Sequence, residues 1–262
     1  MDLGLHGRTA LVSAASSGLG LATASELVQE GANVSICGRD ERRLATALDR
    51  LRALAPPDTR VHGRPCDVTD AADRAGWIDE ATSQLGDVDV VVANVGGPPR
   101  GSAGEVDLAD YRAAVESVLL PPIGLVEGVL PGMVERGWGR VIFVTSLATK
   151  QPLPNLALSN VTRPGVAGYA KSLVHELGPA GVTVNVLAPG PHRTGRRDDG
   201  DGDGDGQDAS GSERPVASSS GLGRPGEPEE FAALAAFVAS DRASFLTGTV
   251  IQVDGGSYWG LV

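Results

Sequence analysis

Short apolar runs rich in β-branched residues alternate with longer helical patterns along the whole chain. The first run, Thr9-Ala10-Leu11-Val12, leads through a turn-forming stretch into a helix predicted over 21–30, which Gly31 should stop in the left-handed conformation. A second run, Val34-Ser35-Ile36-Cys37, ends at Gly38-Arg39-Asp40. A third strand is expected near Arg60-Val61-His62, then a helix over 70–85 and a strand over 88–92 that ends in Ala93-Asn94-Val95-Gly96-Gly97. The helical pattern over 108–133 carries Pro121-Pro122, and two missing backbone donors should kink it there. Val141-Ile142-Phe143-Val144 reads as a buried parallel strand, with Thr145 and Ser146 at its carboxyl end and a helix starting near Ser159-Asn160. Strands that alternate with helices predict an α/β fold. The expectation is a Rossmann-type doubly wound parallel sheet in one domain over 1–262, with right-handed βαβ units.

Composition narrows this picture. A chain of 262 residues with 41% hydrophobic content can bury one sizeable core. No apolar run approaches 18 residues and the N-terminus lacks the charged-then-apolar layout of a signal peptide, so a soluble cytoplasmic protein is expected. The formal charge of −11 argues against nucleic acid and anionic membranes as partners. Cys37 and Cys66 end separate strands, where reduced thiols pack as small hydrophobes. The Asp/Gly/Ser-rich segment 196–227 has little apolar content and cannot bury enough surface to order itself. It reads as a flexible lid that closes on ligand, or as a tolerated disordered loop. Its acidic repeat lacks the closing glutamate of an EF-hand-type loop, and no metal site is expected.

Candidate chemistry begins between the first strand and its helix. In the stretch Ser13-Ala14-Ala15-Ser16-Ser17-Gly18-Leu19-Gly20, the two glycines lack a Cβ, so the backbone can approach a pyrophosphate and pack the helix on the sheet. The helix N-terminus offers free amide donors, and Ser13, Ser16 and Ser17 add hydroxyls. Ala14 stands where the related pattern has its first glycine. Placement between a strand and a helix makes the signal specific. Arg39, at the end of the second strand, suits a 2′-phosphate, where an acidic residue would suit the ribose hydroxyls of NAD. Gly38 leaves room and Ser16 faces the site, so NADP(H) is the expected cofactor, although Asp40 and Glu41 could instead hold Arg39 in a surface ion pair.

Together these pieces resemble the short-chain dehydrogenase/reductase family over most of the chain. Asp67-Val68 is similar to the family's adenine contact, and Asn94 with Gly96 to its turn beside the cofactor. Asn185 through Pro189-Gly190 and Thr194 is similar to its nicotinamide-side loop, and Gly223-Arg224-Pro225 through Asp254-Gly255-Gly256 to its C-terminal pattern. The resemblance implies hydride transfer assisted by a serine, a tyrosine and a lysine, and a homodimer or homotetramer built on the helices over 108–133 and 159–177. With Ala167-Gly168-Tyr169-Ala170-Lys171-Ser172-Leu173 setting the register, Ser146 holds the serine position, Ser159 the tyrosine position and Arg163 the lysine position. Val118 falls where the family commonly has a proton-relaying asparagine.

Ser159 is a phenyl ring shorter than tyrosine and a much weaker acid. Arg163 can donate hydrogen bonds to a ribose but is effectively never deprotonated, and Pro164 disfavours helical geometry at Arg163. Tyr169 and Lys171, two residues apart, do not share a helix face and read as packing and surface residues. His192 is a rival proton donor, although a lone loop histidine more often makes a lid contact. A general acid contributes about 10²–10⁴-fold, and positioning an effective molarity of about 10⁵–10⁸ M, so positioning can keep the larger share. The pattern Ser159-Asn160-x-x-Arg163 resembles a divergent branch that reduces ring ketones of angucyclinone-type aromatic polyketides, where a neighbouring phenol could protonate the alkoxide. Two readings stay open. One is an NADPH-dependent ketoreductase of a polycyclic aromatic ketone, with Ser146, Ser159 and Arg163 in its site. The other is a catalytically silent NADP(H)-binding sensor or scaffold; an acyl-thioester reductase of fatty-acid synthesis is a weaker third, since its substrates offer no neighbouring phenol and would need the tyrosine.

Overall fold

Seven strands form one sheet in the order β3-β2-β1-β4-β5-β6-β7 in the computed structural model, which describes residues 1–194 and 220–261. The strands are β1 Thr9–Val12, β2 Asn33–Gly38, β3 Val61–Pro65, β4 Val90–Ala93, β5 Gly139–Val144, β6 Val182–Pro189 and β7 Val250–Val253. Every pairing is parallel. The order reverses between β1 and β4, and a crevice at such a reversal lies above the carboxyl ends of the strands.

The helices are α1 Gly18–Gln29, α2 Glu41–Leu54, α3 Ala71–Leu85, α4 Leu108–Ala114, α5 Leu120–Arg136, α6 Ala157–Leu177 and α7 Pro228–Ala239. Along β1, Ala10 and Val12 enter a core shared with α1 and α7, while Leu11 enters one shared with α3, α5 and α6. Both faces of the central strands are covered, so these strands read as unbroken apolar runs instead of alternating ones. Cys37 and Cys66 are free thiols buried in the second core. Burial pushes the Cys37 thiol well above its ordinary range, which keeps it protonated.

Several boundaries move for physical reasons. Helix α1 starts at Gly18, ahead of the expected 21, because the glycine-rich turn itself supplies the first helical turn. The long helix adapts ahead of its prolines without breaking. A π-helical turn, Val115–Leu119, joins α4 to α5 with helical dihedrals throughout, and Pro121-Pro122 follow in the first turn of α5, where the widened turn takes up their missing N–H groups. The run Leu108–Arg136 has the length and hydropathy of a membrane span, yet Leu125, Val126, Val129 and Met133 on it are buried in the core. Helix α6 continues through Pro164, contrary to the local preference expected at Arg163, because Thr162, Arg163 and Val166 are all buried and packing outweighs that preference. Of the segment 196–227, residues up to 219 lie outside the described residues. Its carboxyl end is folded: Leu222 N–H donates to Gly255 O (3.1 Å), and Ser220 Oγ to Arg224 O (2.8 Å).

Candidate active site

The loop after β1 is shaped to receive an anion. Gly18 has φ +58°, and a Cβ at Gly20 would lie 2.6 Å from Ala14 O and 3.0 Å from Asn94 Nδ2, so neither position accepts a side chain without rearrangement. Ser17 is the N-cap of α1 but makes no capping bond with its side chain. Its exposed hydroxyl and the first-turn amides at Gly18, Leu19 and Gly20 therefore face outward as donors. Ala14 takes φ +48°, the left-handed conformation that a glycine would adopt there without penalty, at a cost of about 1–2 kcal/mol. Asn94 Nδ2 donates to Ala14 O (3.3 Å), which ties the turn to the end of β4.

Ser13 departs from its expected role. It is 1% exposed; its Oγ donates to Asn94 O (2.6 Å) and accepts from Asn94 N–H (2.9 Å). A buried hydroxyl has to be satisfied internally, so Ser13 fastens β1 to β4 at the crevice instead of reaching a phosphate. Ser16 stays in place: a Cβ at Gly38 would lie 3.0 Å from Ser16 Oγ, which puts this hydroxyl over the end of β2 next to Arg39.

Arg39 is exposed at that corner. Asp40 is committed elsewhere, accepting from the N–H groups of Arg42 and Arg43 (2.9 Å each) as the cap of α2, and these bonds hold its carboxyl below the usual range. No ion pair holds Arg39 among the described residues, so the alternative of a surface pair with Asp40 or Glu41 is not what forms. Asp67, after β3, accepts from Thr69 N–H (3.0 Å) and Thr69 Oγ (2.8 Å); these bonds, with the charge of Arg39, hold its carboxyl below the usual range. Val68 packs on the core at the same strand end. A Cβ at Gly96 would meet nothing within 4 Å. An open cleft floor, outward amides and an unengaged guanidinium at the end of β2 fit a dinucleotide with a 2′-phosphate.

The third part lies over β5 and β6. Ser146 ends β5 and caps a short 3-10 turn, its Oγ accepting from Ala148 N–H (3.2 Å), which leaves the hydroxyl hydrogen to donate. Ser159 and Arg163 lie one helical turn apart on α6, 7% and 5% exposed. Arg163 is the surprise of the site. Its Nη1 donates to Val144 O (3.3 Å) and its Nη2 to Gly96 O (3.2 Å), so the guanidinium ties the end of β5 to the cofactor-side turn. Val118 is buried on the π-helical turn. Tyr169 sets its ring edge-on to Phe143 at 6.0 Å, and burial, with the charges of Glu127 and Glu176, pushes its hydroxyl up to about 12, so it is no substitute acid. Lys171 is exposed and donates to Gly248 O (2.8 Å).

The loop after β6 closes the crevice. Gly190 N–H donates to Val253 O (3.0 Å), and a Cβ there would lie 2.7 Å from Asp254 Cα, so Pro189-Gly190 is packed against the C-terminal turn. Thr194 reaches the phosphate loop: a Cβ at Gly18 would lie 3.5 Å from Thr194 Cβ. Asn185 is structural, its Nδ2 donating to Leu246 O (2.7 Å). His192 Nδ1 donates to Gly190 O (3.0 Å), and its buried ring stands edge-on to Phe231 of α7 at 5.9 Å. It anchors this loop, the contact role expected of a lone loop histidine.

One residue of this corner escapes the sequence reading. Asn160 pairs with the main chain of Leu153 in both directions, at 2.9 Å each. A side-chain amide facing a backbone amide leaves no periodicity to read.

A family profile described as enoyl-(acyl carrier protein) reductase matches residues 13–258. Dehydrogenase/reductase SDR family member 4 of Bos taurus is 32% identical over 254 residues, covering 97% of this chain and 88% of the relative. Among solved structures, YwfH, an NADPH-dependent reductase involved in bacilysin biosynthesis, superposes with a TM-score of 0.88 at 29% identity over 97% of this chain and 99% of its own. L-sorbose reductase from Gluconobacter frateurii, solved with NADPH and L-sorbose, gives a TM-score of 0.88 at 29% identity over the whole of both chains. With its reversed parallel sheet, its phosphate loop and its serine at the end of β5, the chain belongs to the short-chain dehydrogenase/reductase family and is an oxidoreductase of that family.

Proposed function

We propose that this protein is an NADPH-dependent ketoreductase that reduces a ring ketone of an aromatic, angucyclinone-type polyketide, with the proton supplied by the substrate or solvent. The single observation that carries the proposal is the pair on α6, a buried serine and a buried main-chain-bonded arginine where an acid and its lysine partner would stand. The reading extends to the resemblance of Ser159-Asn160-x-x-Arg163 to the angucyclinone ketoreductase of simocyclinone biosynthesis.

NADPH, when bound, supplies the hydride. The amides at Gly18, Leu19 and Gly20, with Ser16, Ser17 and Thr194, hold its phosphates. Arg39 takes the 2′-phosphate, Asp67 and Val68 flank the adenine, and Asn94, Gly96, Pro189 and Gly190 line the nicotinamide side. Ser146 orients the ketone oxygen through its remaining hydrogen. Arg163 keeps β5 and the Gly96 turn in register beneath it. Ser159 is too short and too weak an acid to protonate an alkoxide, and the deficit is about 3–5.5 kcal/mol. A phenol beside the ketone stabilises the developing charge and then donates its proton. The two related reductases with NADPH in their names support the cofactor, and one of them is involved in bacilysin biosynthesis. Leu108 and Val161, apolar and exposed on α4 and α6, support a homodimer or homotetramer.

The test compares 8-hydroxy-1-tetralone with 8-methoxy-1-tetralone, following deuteride transfer from deuterated NADPH. Methylation is expected to slow transfer by about 100-fold or more. Equal rates overturn substrate-assisted protonation, and no transfer to either ketone favours the sensor reading.

A further inference from the structure

Between Ser146 and Ser159 the chain runs through Lys150-Gln151-Pro152-Leu153-Pro154-Asn155-Leu156. Such a connection would ordinarily be mobile. This one is fastened at two points. In Pro152-Leu153-Pro154 only Leu153 has a backbone N–H, and Asn160 engages both polar groups of that residue. Leu153 N–H donates to Asn160 Oδ1 and Asn160 Nδ2 donates to Leu153 O, each at 2.9 Å. Two residues further on, Gly101 N–H donates to Asn155 O and Ala157 N–H to Gly101 O, each at 3.0 Å, a parallel bridge between Gly101 and Leu156. Asn155 takes φ +56°, a left-handed conformation that asparagine tolerates, and so turns the chain into α6. The loops at the carboxyl ends of β4 and β5 are thereby joined into one wall.

We propose that Asn160 is the positioning residue of the substrate cleft: it fixes the segment 151–156 as a preformed wall against which a flat, rigid ring ketone is aligned between Ser146 and Ser159. This rests on the ketoreductase reading for the identity of the ligand, but not for the existence of the wall. A preformed wall suits a substrate with no conformations of its own to select, since neither partner then loses freedom on binding. Asn160 does not touch reacting atoms. Its effect should appear in ketone affinity and not in the hydride step.

Asn160→Ala removes both bonds, and Asn160→Asp keeps the acceptor for Leu153 N–H while losing the donor. Amide hydrogen exchange over 151–156 is expected to accelerate in both, more in the alanine variant. Binding of 8-hydroxy-1-tetralone in the presence of NADP⁺, measured by calorimetry, is expected to weaken about tenfold in Asn160→Ala and less in Asn160→Asp. KM for the ketone should rise in parallel, with kcat within about twofold and NADPH affinity unchanged. Unchanged exchange over 151–156 overturns the clamp. Faster exchange with unchanged ketone affinity overturns the positioning role, and so does a parallel loss of NADPH affinity. A wild-type protein that binds the tetralone without reducing it sinks the ketoreductase reading and leaves the wall standing; one that binds no tetralone overturns both.

Discussion

The crevice above β1 and β4 and the corner above β5 and α6 are built on opposite principles. In the crevice the polar groups point outward: Ser17 caps nothing with its side chain, Arg39 is exposed, and the space over Gly96 is empty. In the corner they point inward. Ser159 and Arg163 are less than a tenth exposed, and the guanidinium bonds two main-chain carbonyls. Donors left facing outward are prepared for an anionic ligand, whereas a guanidinium whose two terminal nitrogens bond the main chain holds a shape. The crevice therefore leaves groups for a ligand to engage, while the corner spends its guanidinium on the main chain.

Three substitutions test that contrast, in order of decreasing effect. Arg39→Ala should lose a charge-assisted contact to phosphate of about 1.5–3 kcal/mol, which raises KM for NADPH by about 10–150-fold and leaves KM for NADH where it was. Steady-state kinetics with both cofactors reads this, and an equal change for the two would mean that Arg39 does not sense the 2′-phosphate. Ser159→Ala should alter kcat by no more than about threefold, far from the roughly 10²–10⁴-fold expected on losing a general acid. A larger drop in single-turnover hydride transfer would return proton delivery to the protein. Ala14→Gly should relieve the left-handed strain at φ +48° and raise stability by about 0.5–1 kcal/mol after the entropy cost of glycine, measured by urea unfolding. A loss of stability would show that the crevice turn is not strained.

The nucleotide half was legible because its chemistry is local. Glycines between a strand and a helix have one common use, and β1 is found at the residues its apolar run marks. Ser13 was misassigned for a nonlocal reason: whether a strand-end hydroxyl faces a ligand or a neighbouring strand depends on where β4 lies, 79 residues away in sequence at Val92. His192 and Arg163 likewise depend on distant neighbours: the first on Phe231 of α7, the second on carbonyls of β5 and of the turn after β4. At the opposite end of the sheet, the guanidinium groups of Arg8 and Arg140 both lie over the ring of Trp138, at 3.8 and 4.2 Å, a contact no spacing announces.

By itself the sequence determined the first five strands and the helices that follow four of them, the glycine-rich turn after β1, the cation at the end of β2, and the serine and arginine at positions 159 and 163. Each of these is written in residue identity or in a short period, because backbone geometry, charge and missing side chains act where they stand. Only the tertiary structure decided which polar groups remain available. That is settled by long-range hydrogen bonding: an unpaired buried donor is costly, and the carbonyls that Ser13 and Arg163 bond become neighbours only once the parallel sheet has formed.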